Sequence, residues 1–240
     1  RILGEVARAT ADFRDQYYGL KGFLVEDAQI TRPAQNLSNR FPPVVTAGLV
    51  DLAQCRWGES TTRILKQRWS APRVDRARMD AEGTLGPWIR DRLTPKVLVA
   101  TQTRVIEAFV DADGTRVPST PLVSVFPHRS RDIWRVAAAL ASPVCTAVAL
   151  QRYAGAALNP DAIKLSARQV SLLPAPSCDR AWDEGASAFR AAQSSQSDAD
   201  RADHLARFGA IMCRAYGLSG AQTSDTTAWW SQRLRVQRNA

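Results

Sequence analysis

This sequence is poor in the side chains that usually do chemistry. Its 240 residues include four cysteines, two histidines and two methionines. Cys55, Cys145, Cys178 and Cys213 are far apart and form no CxxC pair, which argues against a zinc site and for reduced thiols in a cytosol. His128 and His204 stand near no obvious partner and read as surface or capping residues. No GxSxG, HExxH, P-loop or GxGxxG is present, so the common hydrolase, zincin and nucleotide-binding readings lack their anchors. A long apolar run is missing too. The longest, residues 136–150, is interrupted by Ser142, Pro143 and Thr146 and falls short of the about 20 residues that a membrane span needs. No signal peptide is visible at the start. A cytoplasmic protein without a membrane partner is expected.

Negative charge is also scarce. Lys and Arg number 32 against 23 Asp and Glu, for a net charge of +9. Such an excess favours polyanionic partners, with DNA or RNA ahead of an anionic membrane. Of the 32 basic residues 28 are Arg, a bias that a GC-rich genome would also produce. Apolar residues make up 45%, enough for a real core, and the length suits one large domain or two small ones.

The pattern predicts an α+β protein: a β-rich part with hairpins over residues 1–128, then a helical part. Pro and Gly punctuate the first part, and strands are expected at 23–26, 44–49, 97–110 and 122–126. Val97, Val99, Val105 and Phe109 carry the β-branched and aromatic character of a strand. Asp113-Gly114 is the sharpest hairpin signal, because Gly takes a positive φ without steric cost. Beyond Pro127, Ile133, Val136, Ala137 and Leu140 recur at the helical period. Ser142-Pro143 reads as an N-cap followed by proline at the first helical position, so two helices are expected to meet there. Later helices are expected at 180–192, 201–216 and 227–235, with a polar linker at 194–197.

Two blocks could contact a polymer. Residues 57–69 combine Trp57 and Trp69 with Arg63, Lys66 and Arg68. Cations neutralise phosphates and aromatic rings can stack on bases, although both tryptophans could equally be core. Residues 95–127 carry Lys96, Gln102 and Arg104 on the first expected strand. Gln and Arg donors suit adenine and guanine edges, and alternate strand residues share one face. Glu107, Asp111 and Asp113 cluster near the expected hairpin, either as solvated charges or as metal ligands of a nuclease.

Several pieces then match a family in order: residues 2–22, residues 44–49, the block WGESTTRILKQRWSAP, the block PKVLVATQTRVIEAF, a hairpin, the helical pair RDIWRVAAALASPVCTAVALQRYAG, and IKLSARQVSLLPAP. Together they resemble the C-terminal target-recognition region of adenine-specific DNA methyltransferases of restriction–modification and phage-defence systems. A "PK-I-V" strand, a helix ending in "L-N-S" and a closing "L-IPLP" phrase recur in that family. Here they appear as Pro95-Lys96-Val97-Leu98-Val99, Leu140-Ala141-Ser142-Pro143 and Leu172-Leu173-Pro174-Ala175-Pro176.

The resemblance covers residues 1–178 (β-rich 1–128, helical 129–178) and leaves 179–240 as a helical extension. It implies double-stranded DNA as partner, gripped by Arg63, Lys66, Arg68, Lys96, Gln102 and Arg104. It also implies a methyltransferase catalytic domain in the same polypeptide or complex, and S-adenosylmethionine as the cofactor of the intact protein. This chain departs from the catalytic half of the family. Its Asn-Pro, in Asn159-Pro160-Asp161-Ala162, lacks the second proline and the stacking aromatic, and the glycine-containing cofactor loop is missing. No cofactor is therefore expected in this chain. Arg1 stands where a Met would begin a frame, so a fragment or a processed form is expected. The alternatives are a non-enzymatic interaction module docking through residues 180–240, and a nuclease built on Glu107 and Asp111.

Overall fold

The computed structural model describes residues 1–30, 37–83, 85–153 and 162–238, with side chains through residue 234. In chain order the first stretch forms strand β1 (Ala7–Ala11), helix α1 (Arg14–Gly19), β2 (Leu24–Glu26), α2 (Leu37–Arg40), β3 (Val44–Val45), β4 (Val50–Asp51), β5 (Gln54–Cys55), β6 (Thr62–Ile64), β7 (Gln67–Trp69), β8 (Pro72–Val74), α3 (Arg76–Glu82) and α4 (Gly86–Arg92). It continues as β9 (Lys96–Ala100), β10 (Gln102–Thr103), β11 (Glu107–Asp111), β12 (Val117–Pro118), β13 (Val123–Pro127), α5 (Ile133–Ala141), α6 (Pro143–Tyr153), β14 (Ile163–Lys164), α7 (Ala167–Ser171), α8 (Asp179–Ser194), α9 (Asp198–Ala215) and α10 (Gly220–Arg238). The fold is α+β, with small sheets in the first part and helices in the second. Four short helices interrupt the stretch expected to be strand and loop. Helix α3 shows why they escape a periodicity search. It has seven residues, and its start is set by Asp75, whose carboxylate accepts the Arg78 N–H at 3.1 Å.

The central sheet is antiparallel, in the order β1-β13-β9-β11. Strand β9 is buried on both faces. Val97 and Val99 join the core beneath α5, with Val136 and Leu140, while Leu98 and Ala100 meet Val45, Leu49 and Phe109 on the other side. The expected single strand at 97–110 is instead two arms of a return. The chain leaves β9 at Thr101, makes the short β10, and comes back as β11 with Glu107 opposite Ala100. Alternating apolar residues continue through both arms, and neither Gly nor Pro marks the reversal. The period-2 signal therefore could not locate it.

Asp113-Gly114 does turn. Gly114 has φ +64° and donates its N–H to Asp111 O at 3.2 Å. A Cβ there would lie 2.4 Å from the Thr94 carbonyl carbon, so only glycine fits. The strands on either side of this turn are not neighbours, however, because β13 pairs with β9 and β1.

The helix break stands where the sequence put it. Helices α5 and α6 meet at Ser142 with a bend of 56°. Ser142 Oγ accepts the Cys145 N–H at 3.0 Å and donates to Ala139 O at 2.8 Å. Proline at the start of α6 needs no N–H partner.

Helix α8 covers the expected 180–192, α9 starts three residues before the expected 201–216 and ends one residue short of it, and α10 is longer than residues 227–235. These helices are not separate from the rest. Phe189, Leu205, Met212 and Trp230 share one core with Val136 and Leu140 of α5. Gln193 of α8 accepts the Val110 N–H and donates to the Val110 carbonyl, both at 2.8 Å. That amide, with the Ala53 N–H that bonds Ala108 O at 2.9 Å, covers the outer edge of β11, where unpaired backbone would otherwise invite another strand. Tyr216 donates its hydroxyl to Pro174 O at 2.9 Å, tying the end of α9 to the Leu172-Leu173-Pro174 phrase.

Candidate nucleic-acid interface

Strands β6 and β7 form a hairpin with Thr62 opposite Trp69, Arg63 opposite Arg68 and Ile64 opposite Gln67. Alternation sends Thr62 and Ile64 inward and Arg63 outward. Ile64 is fully buried, and the Thr62 hydroxyl lies 2.5 Å from that of Thr46. At the tip, Leu65 and Lys66 have φ of 53° and 68°, the two positive values of a tight hairpin turn. Neither is glycine, so the turn is strained and needs external support. Tyr17 of α1 supplies it by accepting the Leu65 N–H on its hydroxyl at 2.8 Å.

The exposed charges of this hairpin are all cationic. Arg63, Lys66 and Arg68 are exposed, and among the described residues none of them forms an ion pair. Like charges directly across a pair of strands repel, at a cost of roughly 0.2–1 kcal/mol. A scaffold that holds Arg63 against Arg68 without an acid is suited to an anion from outside.

Beside the hairpin lies a hollow of about 470 Å³ lined by Arg14, Tyr17, Tyr18, Thr62, Arg63 and Thr120, among others. Tyr18 is 54% exposed and Phe13, at the entry to α1, is 73% exposed. The Arg14 guanidinium lies 5.3 Å from the Tyr18 ring centre. Sequence reasoning missed Phe13, Arg14 and Tyr18. The signal available was three aromatic positions and an arginine within residues 13–18, a stretch too short to show which rings face solvent.

Of the other sequence candidates, Lys96 is a correction. It is fully buried, with its ammonium 2.6 Å from Asp111 Oδ2 and 3.3 Å from Thr94 O. Burial pushes its pKa below the ordinary lysine value, and the Asp111 charge opposes that shift. An ammonium enclosed in this way cannot reach a phosphate, so the Pro95-Lys96 phrase is structural. Gln102 is exposed on β10. Arg104 is half-buried, and its carbonyl accepts from Arg233 Nε at 2.8 Å. The two do not share the face of one strand, because β10 ends at Thr103. Ala47 and Gly48 line both the hairpin hollow and a larger cleft of about 730 Å³ that contains Gln102, so Gln102 and the hairpin flank one ridge. The tryptophans prove structural. Trp57 donates to Pro72 O at 2.9 Å under the Arg73 guanidinium, and Trp69 donates to Ile64 O at 3.3 Å.

The nuclease carboxylates do not converge. Glu107 and Asp111 stand at opposite ends of β11, Asp111 is committed to Lys96 and Arg116, and Asp113 is exposed. Among the described residues no group of three or more His, Cys, Asp or Glu could hold a metal. Glu107 is nearly enclosed at the wall of the larger cleft. Burial, reinforced by the Asp51 charge and opposed by Arg56, raises its pKa to about 8. Between the ordinary value of 4.5 and about 8, the folded chain holds this proton more tightly than the unfolded chain. The contribution of Glu107 to stability therefore falls as pH rises through that window. Glu107→Gln is expected to gain stability relative to the parent from pH 5 to pH 8 and to level off above, as read by urea unfolding at several pH values. A difference independent of pH would show that Glu107 is ionised throughout.

At Gly19, Gly83, Gly86, Gly114 and Gly185 a Cβ would be crowded by Leu85, Met79, Asp80, Thr94 and Met212 of the chain itself. The phrase Asn159-Pro160-Asp161 lies outside the described residues. The chain matches no family model, and no curated protein is significantly similar to it. Among the described residues no single helix is long and apolar enough to cross a membrane, and the bent pair α5–α6 passes that test only jointly.

Proposed function

We propose that this chain is a double-stranded DNA recognition region that serves an adenine-specific methyltransferase, with the S-adenosylmethionine-dependent chemistry supplied by a catalytic domain in the same polypeptide or complex. The observation that supports DNA as the partner is the β6–β7 hairpin. It offers three exposed cations on a braced strand pair, with no internal acid to neutralise them. In this reading Arg63, Lys66 and Arg68 take phosphates and set the position of the duplex. In the same reading Gln102, exposed in the cleft that shares Ala47 and Gly48 with the hairpin hollow, addresses a base edge, since a Gln amide suits adenine. The resemblance of residues 1–178 to the recognition region supports the link to adenine methylation. Methyltransferases of that kind extrude their target base at a cost of a few kcal/mol, and a grip on the flanking duplex offsets part of that cost.

Fluorescence anisotropy with a labelled duplex over a salt series tests the reading. Three neutralised phosphates give a slope of log K against log salt near −2.7, at about −0.9 for each. Affinity is then expected to fall by about 40-fold between 50 and 200 mM salt. Undetectable binding at low salt, or tight binding with a flat slope, overturns it.

A further inference from the structure

Three large apolar side chains are strongly exposed among the described residues: Phe13, Tyr18 and Leu172. Two of the three belong to one short segment, and that segment is fastened to the cationic hairpin through Tyr17 and Leu65. Tyr18 is held in place. Its ring packs edge-on against Tyr17, with centres 5.4 Å apart, and carries the Arg14 guanidinium at 5.3 Å. It opens onto the hollow of about 470 Å³, a size within the range of small-ligand sites. The lining has cations at Arg14 and Arg63, hydroxyls at Thr46, Thr62 and Thr120, and no acid. Phe13 adjoins two lining residues, Arg14 along the chain and Thr120, whose Oγ1 donates to the Phe13 carbonyl at 3.5 Å.

An exposed aromatic ring beside cations suits a planar, electron-rich ligand that carries negative charge. A nucleotide has both properties, since the base stacks on the ring and the phosphate meets guanidinium. Paired bases in a duplex keep their faces covered and cannot use such a ring. We propose that the hollow between α1 and the β6–β7 hairpin is a stacking site for an unpaired nucleobase, with Tyr18 as its platform, Phe13 at its rim, and Arg14 and Arg63 on the adjoining phosphates. The chain would then recognise DNA in which a base has left the stack, and hold it beside the duplex that the hairpin grips. The inference rests on the DNA reading of that hairpin.

Three labelled probes of one sequence separate the two ideas: a plain duplex, the same duplex with one bulged nucleotide, and that duplex with an abasic bulge. The bulged base is expected to bind about tenfold tighter than the plain duplex, in line with stacking on one ring, and the abasic bulge is expected to lose that gain. Tyr18→Ala, alone and with Phe13→Ala, is expected to abolish the preference and leave plain-duplex affinity within about twofold and the salt slope unchanged. Tyr18→Phe keeps the ring and is expected to keep the preference. Both side chains are exposed, and a thermal scan confirms that each variant folds. Equal binding of all three probes with a normal salt slope overturns the stacking site and leaves the DNA reading standing. A bulge preference that survives in the double variant overturns the assignment to these rings. No binding of any probe at low salt overturns the DNA reading and this inference with it.

Discussion

Asp111→Ala is expected to destabilise the chain by roughly 3–5 kcal/mol, the usual cost of leaving one member of a buried ion pair without its partner. In a chain of this size that corresponds to a fall in melting temperature on the order of 10 °C. The reason is the number of groups that converge on this carboxylate. It accepts from Lys96 Nζ at 2.6 Å, from the backbone N–H groups of Thr115 and Arg116 at 3.2 and 3.0 Å, and from Arg116 Nη1 at 3.1 Å. Alanine removes all four bonds and leaves the Lys96 ammonium in the core. Lys96→Met is expected to cost less, because Asp111 keeps Arg116 and both N–H donors and the methionine fills a similar volume. Urea unfolding of the two variants checks the order. Equal affinity of parent and Lys96→Met for duplex DNA checks that Lys96 is structural, and a salt slope flattened by about 0.9 in that variant would return it to the interface.

The second large effect is expected at the hairpin. Replacing Arg63, Lys66 and Arg68 together by alanine should reduce the salt slope from about −2.7 toward zero. Counterion release from three phosphates then accounts for a loss of affinity of roughly three thousandfold at 50 mM salt and about eightyfold at 200 mM. Stability should move the other way. The variant loses the repulsion between Arg63 and Arg68, so its melting temperature is expected to hold or rise slightly. Weaker binding together with unchanged or greater stability separates loss of contact from loss of fold. A collapse of the melting temperature would show that the three side chains support the hairpin.

Much of the architecture was legible because it depends on local rules. Ser142-Pro143 broke the helix for the reasons that make Ser a cap and Pro a first residue, and both act within one turn. The late helices followed from apolar periodicity, and Gly114 turned where Asp113-Gly114 signalled it. Lys96 and the return at 101–106 were not legible. A lysine on a strand looks the same in sequence whether it faces water or a buried aspartate fifteen residues away. Alternating residues keep the same pattern through two arms as through one.

The amino-acid sequence by itself determined the α+β class, the scarcity of catalytic side chains, the excess of positive charge and the cationic block at 63–68. These are properties of composition and near-neighbour spacing. Only the tertiary structure decided which cations stay free to meet an anion. Burial took Lys96 into the core, and strand register set Arg63 against Arg68. Packing of Tyr17 in the cluster around Ile64, with the Leu65 N–H bonded to its hydroxyl, brought α1, and with it Tyr18, to the same surface. Charge and aromatic content are sums over the chain, whereas their placement depends on contacts between residues tens of positions apart. Those contacts form only when the apolar faces of distant segments close on a common core.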